Sequence, residues 1–128
     1  MYNYYMDKIG ILLMIASGVT NAVANSFLKK AFAGNLNILA GGLVKGMINV
    51  ITNPFAVIGA AVFGISFLLF AAALGRINLS MAYPFMSGTA FLLIFLISLL
   101  FFKEQITLWG AIGAFSILFG IILISVKG

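Results

Sequence analysis

The chemistry available to this chain is narrow. Its 128 residues include seven basic and two acidic side chains, and neither cysteine nor histidine. Thiolate chemistry and disulfides are therefore excluded. Asp7 and Glu104 cannot by themselves assemble a metal site in one chain, nor an acid–base pair inside an apolar segment. What remains are hydroxyls, amides and a tyrosine at helical spacing. Ser17, Thr20, Asn21 and Asn25 recur at i+3 and i+4, beside Gly18 and Ala24, and so share one face of a helix. Ser80, Tyr83, Ser87 and Thr89 form a second stripe around Pro84 and Gly88. Such groups bind and orient but supply no carboxylate to carry a proton. The expectation is a binding or transport surface, with no enzyme activity and no cofactor.

The elements that must carry these stripes are apolar. Residues 9–28, 54–75, 79–102 and 106–126 contain no acidic or basic residue. A helix rises 1.5 Å per residue, so ~20 apolar residues cross a hydrocarbon core ~30 Å thick. The chain is 64% hydrophobic and 7% charged. A soluble domain carries about 25% charged residues. The sequence thus predicts one all-α membrane domain, a bundle of four transmembrane helices. Inside it, polar groups must face protein or a water-filled cavity. For the serines and threonines the reading is hydrogen bonding between helices. For Asn21, Asn25 and Tyr83, the last beside the donor lost at Pro84, a cavity wall competes with it.

Residues 36–52 differ from the spans. Leu36, Leu39, Ala40, Leu43, Val44, Met47, Ile48 and Ile51 fall on one helical face, with Asn37, Lys45 and Asn49 opposite. This predicts an amphipathic helix in the membrane interface, Lys45 towards headgroups. Pro54 should open the next span. Tyr2, Tyr4, Tyr5 and Trp109 read as interfacial anchors. The Ala22-Val23-Ala24 run has the form of a leader cleavage site. Because apolar residues continue to Leu28 and end in Lys29-Lys30, it reads as part of a retained span.

The net charge of +5 marks no nucleic-acid surface, since the basic residues are scattered along the chain at helix ends. The short connections around Arg76 and Lys103 make neighbouring helices antiparallel. Lys8, Arg76 and Lys127 then lie on one side, and Lys29, Lys30, Lys45 and Lys103 on the other. That balance sets orientation weakly, and a chain inserting both ways can form an antiparallel dimer. Gly113, Ser116 and Gly120 put small residues on one face of the last helix, where a partner helix could approach closely. Glu104 is expected to sit at the N-terminus of that helix, against its dipole.

Two stretches carry a family likeness. Leu74-Gly75-Arg76-Ile77-Asn78-Leu79-Ser80-Met81-Ala82-Tyr83-Pro84 precedes, further on, Lys103-Glu104-Gln105-Ile106-Thr107-Leu108-Trp109-Gly110. Together they resemble the EamA-like repeat of the drug/metabolite transporter superfamily, most fully over residues 54–127. The four-helix forms that are similar are the small multidrug resistance proteins and the small aminoarabinose-lipid flippase subunits. The exporters' mechanism implies a glutamate in mid-helix 1. Here that position falls at or near Asn21, and where those proteins carry a tryptophan three residues after the tyrosine, this chain has Met86. Gly113 and Gly120 match the seven-spaced glycines with which the exporters dimerise. The flippase likeness implies a polyprenyl-phosphate-linked sugar or similar anionic lipid as cargo. Lys29, Lys30, Lys45 and Arg76 would meet its phosphate, and Asn21, Asn25, Tyr83 and Ser87 would line its groove. It also implies a homodimer, or a heterodimer with a similar small subunit, in a bacterial or archaeal cytoplasmic membrane. The alternatives are an exporter of small metabolites or hydrophobic cations, and an accessory subunit without transport.

Overall fold

The structure is a computed structural model. It describes residues 7–35 and 37–127, apart from the side chains of Ser125 and Lys127. Tyr2, Tyr4, Tyr5 and Leu36 lie outside the described residues. Within them the chain is all-helical: α1 Lys8–Phe32, α2 Leu43–Thr52, α3 Pro54–Leu74, α4 Leu79–Leu100 and α5 Leu108–Lys127.

Local chemistry sets these limits. Asp7 caps α1, its Oδ1 accepting from the Gly10 amide at 2.9 Å. Lys29 and Lys30 close the same helix, where positive charge meets the carbonyl end of the dipole. Pro54 opens α3 as its first residue, and the Asn53 side chain caps it by accepting from the Phe55 and Ala56 amides. The Asn53 amide nitrogen also donates to the Ala31 carbonyl at 3.0 Å, which ties the start of α3 to the end of α1. α2 is shorter than the predicted 36–52. Gly42, at φ 99°, breaks the helical path before Leu43. Asn49 holds the preceding turn by donating to the Ile38 carbonyl.

The last connection corrects the sequence reading. Glu104 does not cap the final helix. α4 ends at Leu100, the chain turns back through Lys103 at φ 51°, and α5 begins only at Leu108. The cap is Thr107, whose Oγ1 accepts from the Gly110 amide at 3.0 Å. A neutral hydroxyl at the right spacing does what the carboxylate three residues earlier is too distant to do.

Two ion pairs mark the direction of the helices. Arg76, after α3, bonds Asp7 at the start of α1 (Nη1–Oδ2, 3.2 Å). Glu104, after α4, meets Lys29 at the end of α1 (Nζ–Oε1, 3.2 Å). Hence α1 and α4 run in parallel, and α3 runs against both. These three helices form the core; among the described residues α2 packs on α3, and α5 packs on α4 alone.

The core is built from small residues. Ala22, Ala24, Ala56, Ala73 and Ala82 are fully buried, with Ser17 and Met14 among them. Large apolar side chains point outwards instead: Phe67, Leu68, Leu100, Phe115 and Phe119 are all exposed. Lipid tails offer large apolar side chains the same surroundings as a core would, so helices associate through close backbone approach at small residues. By length and composition α1, α3 and α4 can each cross a membrane. The apolar stretch Leu108–Ile124 of α5 is shorter, so three of the four predicted spans meet that measure.

Candidate functional site: a polar cleft between the ends of helices α1 and α4

Close contacts set the register of α1 on its neighbours. A Cβ on Gly18 would stand 2.7 Å from the Met86 carbonyl oxygen and 2.7 Å from Thr89 Cβ. Only glycine permits that approach of α1 to α4. Ser17, on the adjoining face, donates to the Ser66 carbonyl of α3 at 2.8 Å, and Ser66 donates to the Ser17 carbonyl at 2.9 Å. Both serines are buried. Ser17 is thus an interhelical clasp and leaves the polar stripe. Its partner was not predicted. The available signal was that Ser66 is the single polar side chain in residues 54–75.

Beyond Gly18, α1 and α4 continue towards their C-terminal ends. Asn21 and Asn25 lie on this stretch and bond each other: Asn25 Nδ2 donates to the Asn21 carbonyl and to Asn21 Oδ1, both at 2.9 Å. The Asn21 side-chain nitrogen has no partner among the described residues. No buried side-chain polar atom there lacks one, so this nitrogen is not fully buried. Thr20 and Ser26 bond carbonyls of their own helix.

One turn further on, a cleft of about 230 Å³ opens between α1, α4 and the loop after α4. Its polar wall is Asn25, Ser26, Lys29, Ser98 and Glu104; Ile94, Ile97 and Phe102 complete it. A second, nearly apolar cleft of about 530 Å³ adjoins it, lined by Val23, Phe27, Lys30 and Phe101. The two share Ser26, Ile97 and Phe102, so polar and apolar recesses meet along one seam. Lys29 faces the first and Lys30 the second, with its ammonium 4.8 Å from the centre of the Phe55 ring.

The other predicted site residues fall elsewhere. Tyr83 precedes the Gly18 contact on α4 by about a turn, and Ser87 lies at its level, between Met86 and Thr89; neither lines the cleft. Tyr83 is 56% exposed and stands edge-on to Phe70, with centroids 6.1 Å apart. Ser87 donates to the Tyr83 carbonyl. Arg76 lies at the opposite end of α1 from Lys29, roughly 33 Å away at 1.5 Å per residue. Lys45 is exposed on α2, its stem against Gly41. The structure therefore groups Asn21, Asn25, Lys29 and Lys30, and separates from them Tyr83, Ser87, Arg76 and Lys45. Glu104 and Ser98 join the group, and sequence reasoning had assigned neither to it.

On α5, Cβ atoms added at Gly113 or Gly120 would meet nothing within 4 Å. Ser116 is exposed and bonds the Ile112 carbonyl. The small-residue face predicted for a dimer contact is thus open in the single chain.

Residues 9–124 match the family described as Small Multidrug Resistance protein. The chain is also 32% identical over 123 residues to y4nH, an uncharacterized protein of Sinorhizobium fredii, across 96% of this chain and 100% of that one. No solved structure matches it. With three long apolar helices packed through small residues, and a family match across nearly all of its length, the chain belongs to the small multidrug resistance family of small integral membrane transporters.

Proposed function

We propose that this protein is a flippase-type transporter subunit that moves an amphipathic anion, a polyprenyl-phosphate-linked sugar or similar lipid, across the membrane. One observation carries the reading. The polar path on α1 is made of amides, Asn21 and Asn25, and it ends at two lysines. The two acidic residues lie at helix ends, each beside a basic partner. An amide does not pick up or release a proton near neutral pH. A path of this kind favours a cargo that brings its own negative charge and is drawn to ammonium groups. The polar and apolar clefts along one seam suit a phosphate head and a hydrocarbon tail.

In this reading α5 is the fourth span, α2 lies in the interface, and the chain works as a homodimer or with a similar small subunit. The open face at Gly113, Ser116 and Gly120 supplies the contact. The likeness to EamA-like repeats and aminoarabinose-lipid flippase subunits supports the cargo class, and the bacterial or archaeal cytoplasmic membrane is its setting. The family match favours one alternative, export of small metabolites or hydrophobic cations.

Reconstituted vesicles decide between them. A fluorescent polyprenyl-phosphate sugar should equilibrate across the membrane faster with the protein than without it. Asn25→Leu should abolish the effect while leaving the helices folded, and Lys29→Gln should slow it. Proton-driven resistance to cationic drugs in a growth assay would replace the lipid reading with the exporter.

A further inference from the structure

We infer that Glu104 is a built-in counter-anion for Lys29 that a phosphate-bearing ligand displaces, so that the pair is a ligand-released latch on the polar cleft. The choice of ligand rests on the lipid-phosphate reading above; the geometry of the latch stands apart from it.

Lys29 and Glu104 both line the cleft, and their charged atoms are 3.2 Å apart. Their side chains are 53% and 44% exposed, so water screens the pair and holds it weakly. The loop is shaped to deliver this carboxylate. Lys103 adopts φ 51°, a left-handed conformation that non-glycine residues rarely take. The turn lets the Glu104 amide donate to the Ser98 carbonyl at 2.9 Å. The side chain of Glu104 is thereby set over the cleft, opposite Lys29. Strain in a connecting loop persists where surrounding contacts over-determine it, and such positions cluster at ligand clamps.

A phosphate group offers what Glu104 offers: the diester of a lipid-linked sugar carries one negative charge on two free oxygens, and a monoester carries up to two charges on three. The cleft's donors for it are the Lys29 ammonium and the Ser98 hydroxyl, which has no partner among the described residues. Glu104 has somewhere to go when displaced. It also lines an adjoining recess of about 390 Å³ with Gln105, Ile106 and Thr107, which shares Ile94 and Ser98 with the cleft but which Lys29 does not line. Exchange of one anion for another at Lys29 thus frees the α4–α5 loop from the end of α1. Entry of cargo and opening of that end become one event.

The test uses the full chain in discs of neutral phosphatidylcholine, titrated with inorganic phosphate and, separately, with farnesyl phosphate. Glu104→Gln removes the resident competitor, so phosphate binding should tighten by about two- to five-fold, the occupancy expected of so exposed a pair. Lys29→Gln should lose binding, and Lys29→Arg should retain it. Ser98→Ala should weaken it. Helicity and monodispersity of each variant are checked first. No tightening in Glu104→Gln, or wild-type binding in Lys29→Gln, overturns the latch. Tightening towards inorganic phosphate with no binding of farnesyl phosphate keeps the latch and overturns the lipid cargo. Failure of both probes to bind any variant overturns both.

Discussion

Replacing Gly18 with alanine tests whether close backbone approach holds the bundle together. The added carbon would stand 2.7 Å from the Met86 carbonyl oxygen and 2.7 Å from Thr89 Cβ, where ordinary contact begins at 3.4 Å. One obstacle is backbone and the other is the root of a β-branched side chain, so neither can swing aside. α1 and α4 must separate by about 0.7 Å at this level, the difference between those two distances. Overpacking of this kind costs about 1–3 kcal/mol. The helix propensity of alanine over glycine returns about 1 kcal/mol of it. With two clashes at one carbon the upper part of the overpacking range, about 2–3 kcal/mol, applies, and the net is a loss of about 1–2 kcal/mol. Gly113→Ala is the control, because nothing lies within 4 Å there. It keeps the propensity gain of up to ~1 kcal/mol. Both variants and the wild type would be unfolded reversibly in mixed micelles, diluted until the chain is monomeric, with loss of helicity as the readout. If Gly18→Ala unfolds at or above the wild-type free energy, the α1–α4 packing described here is incorrect.

Three further outcomes are expected. Ser17→Ala and Ser66→Ala should each destabilise by about 1 kcal/mol, and the double mutant by less than the sum, because one clasp is lost in all three; additive losses in the same unfolding assay would exclude the clasp. Wild-type transport should be flat between roughly pH 6 and 8, because the amides of Asn21 and Asn25 have no proton to exchange there. A sloping wild-type profile counts against an amide-lined path. Gly113→Leu with Gly120→Leu should abolish crosslinked dimers in mild detergent while leaving monomer stability unchanged, and persistence of the dimer would move the contact off α5.

The parts of the fold legible in the sequence are those the bilayer dictates. Pro54 after Asn53, and Lys29-Lys30 after an uncharged stretch, mark helix ends through local rules that hold anywhere. Asn21 and Asn25 were also readable, because four residues along a helix is a contact in itself. The remainder depends on which helices meet. Ser17 and Ser66 are 49 residues apart, and no periodicity links them. Glu104 was misassigned because its proximity in sequence to α5 suggested a cap, whereas the Lys103 turn carries it to α1. Tyr83 and Ser87 matched the α1 stripe in type and spacing, but the contact of Gly18 with Met86 and Thr89 sets Ser87 level with Gly18 and Tyr83 before it, both short of Asn25 and Lys29. Depth along parallel helices is a property of packing that sequence spacing alone does not encode.

That α5 packs only on α4 among the described residues has a consequence for biogenesis. Chains fold from the N-terminus as they are made. By the time Leu100 has left the ribosome, every helix of the α1–α3–α4 core exists, and its small-residue seams can close without waiting for more chain. α5 emerges afterwards, to a finished scaffold. If the chain works as the proposed dimer through α5, that helix is free to settle against its own chain or reach for a neighbour's, and the choice of partner would come at the end of synthesis. A chain stopped after Gln105, which keeps Glu104 opposite Lys29, should still insert and hold its first helices together, and a dimer made through α5 should be missing.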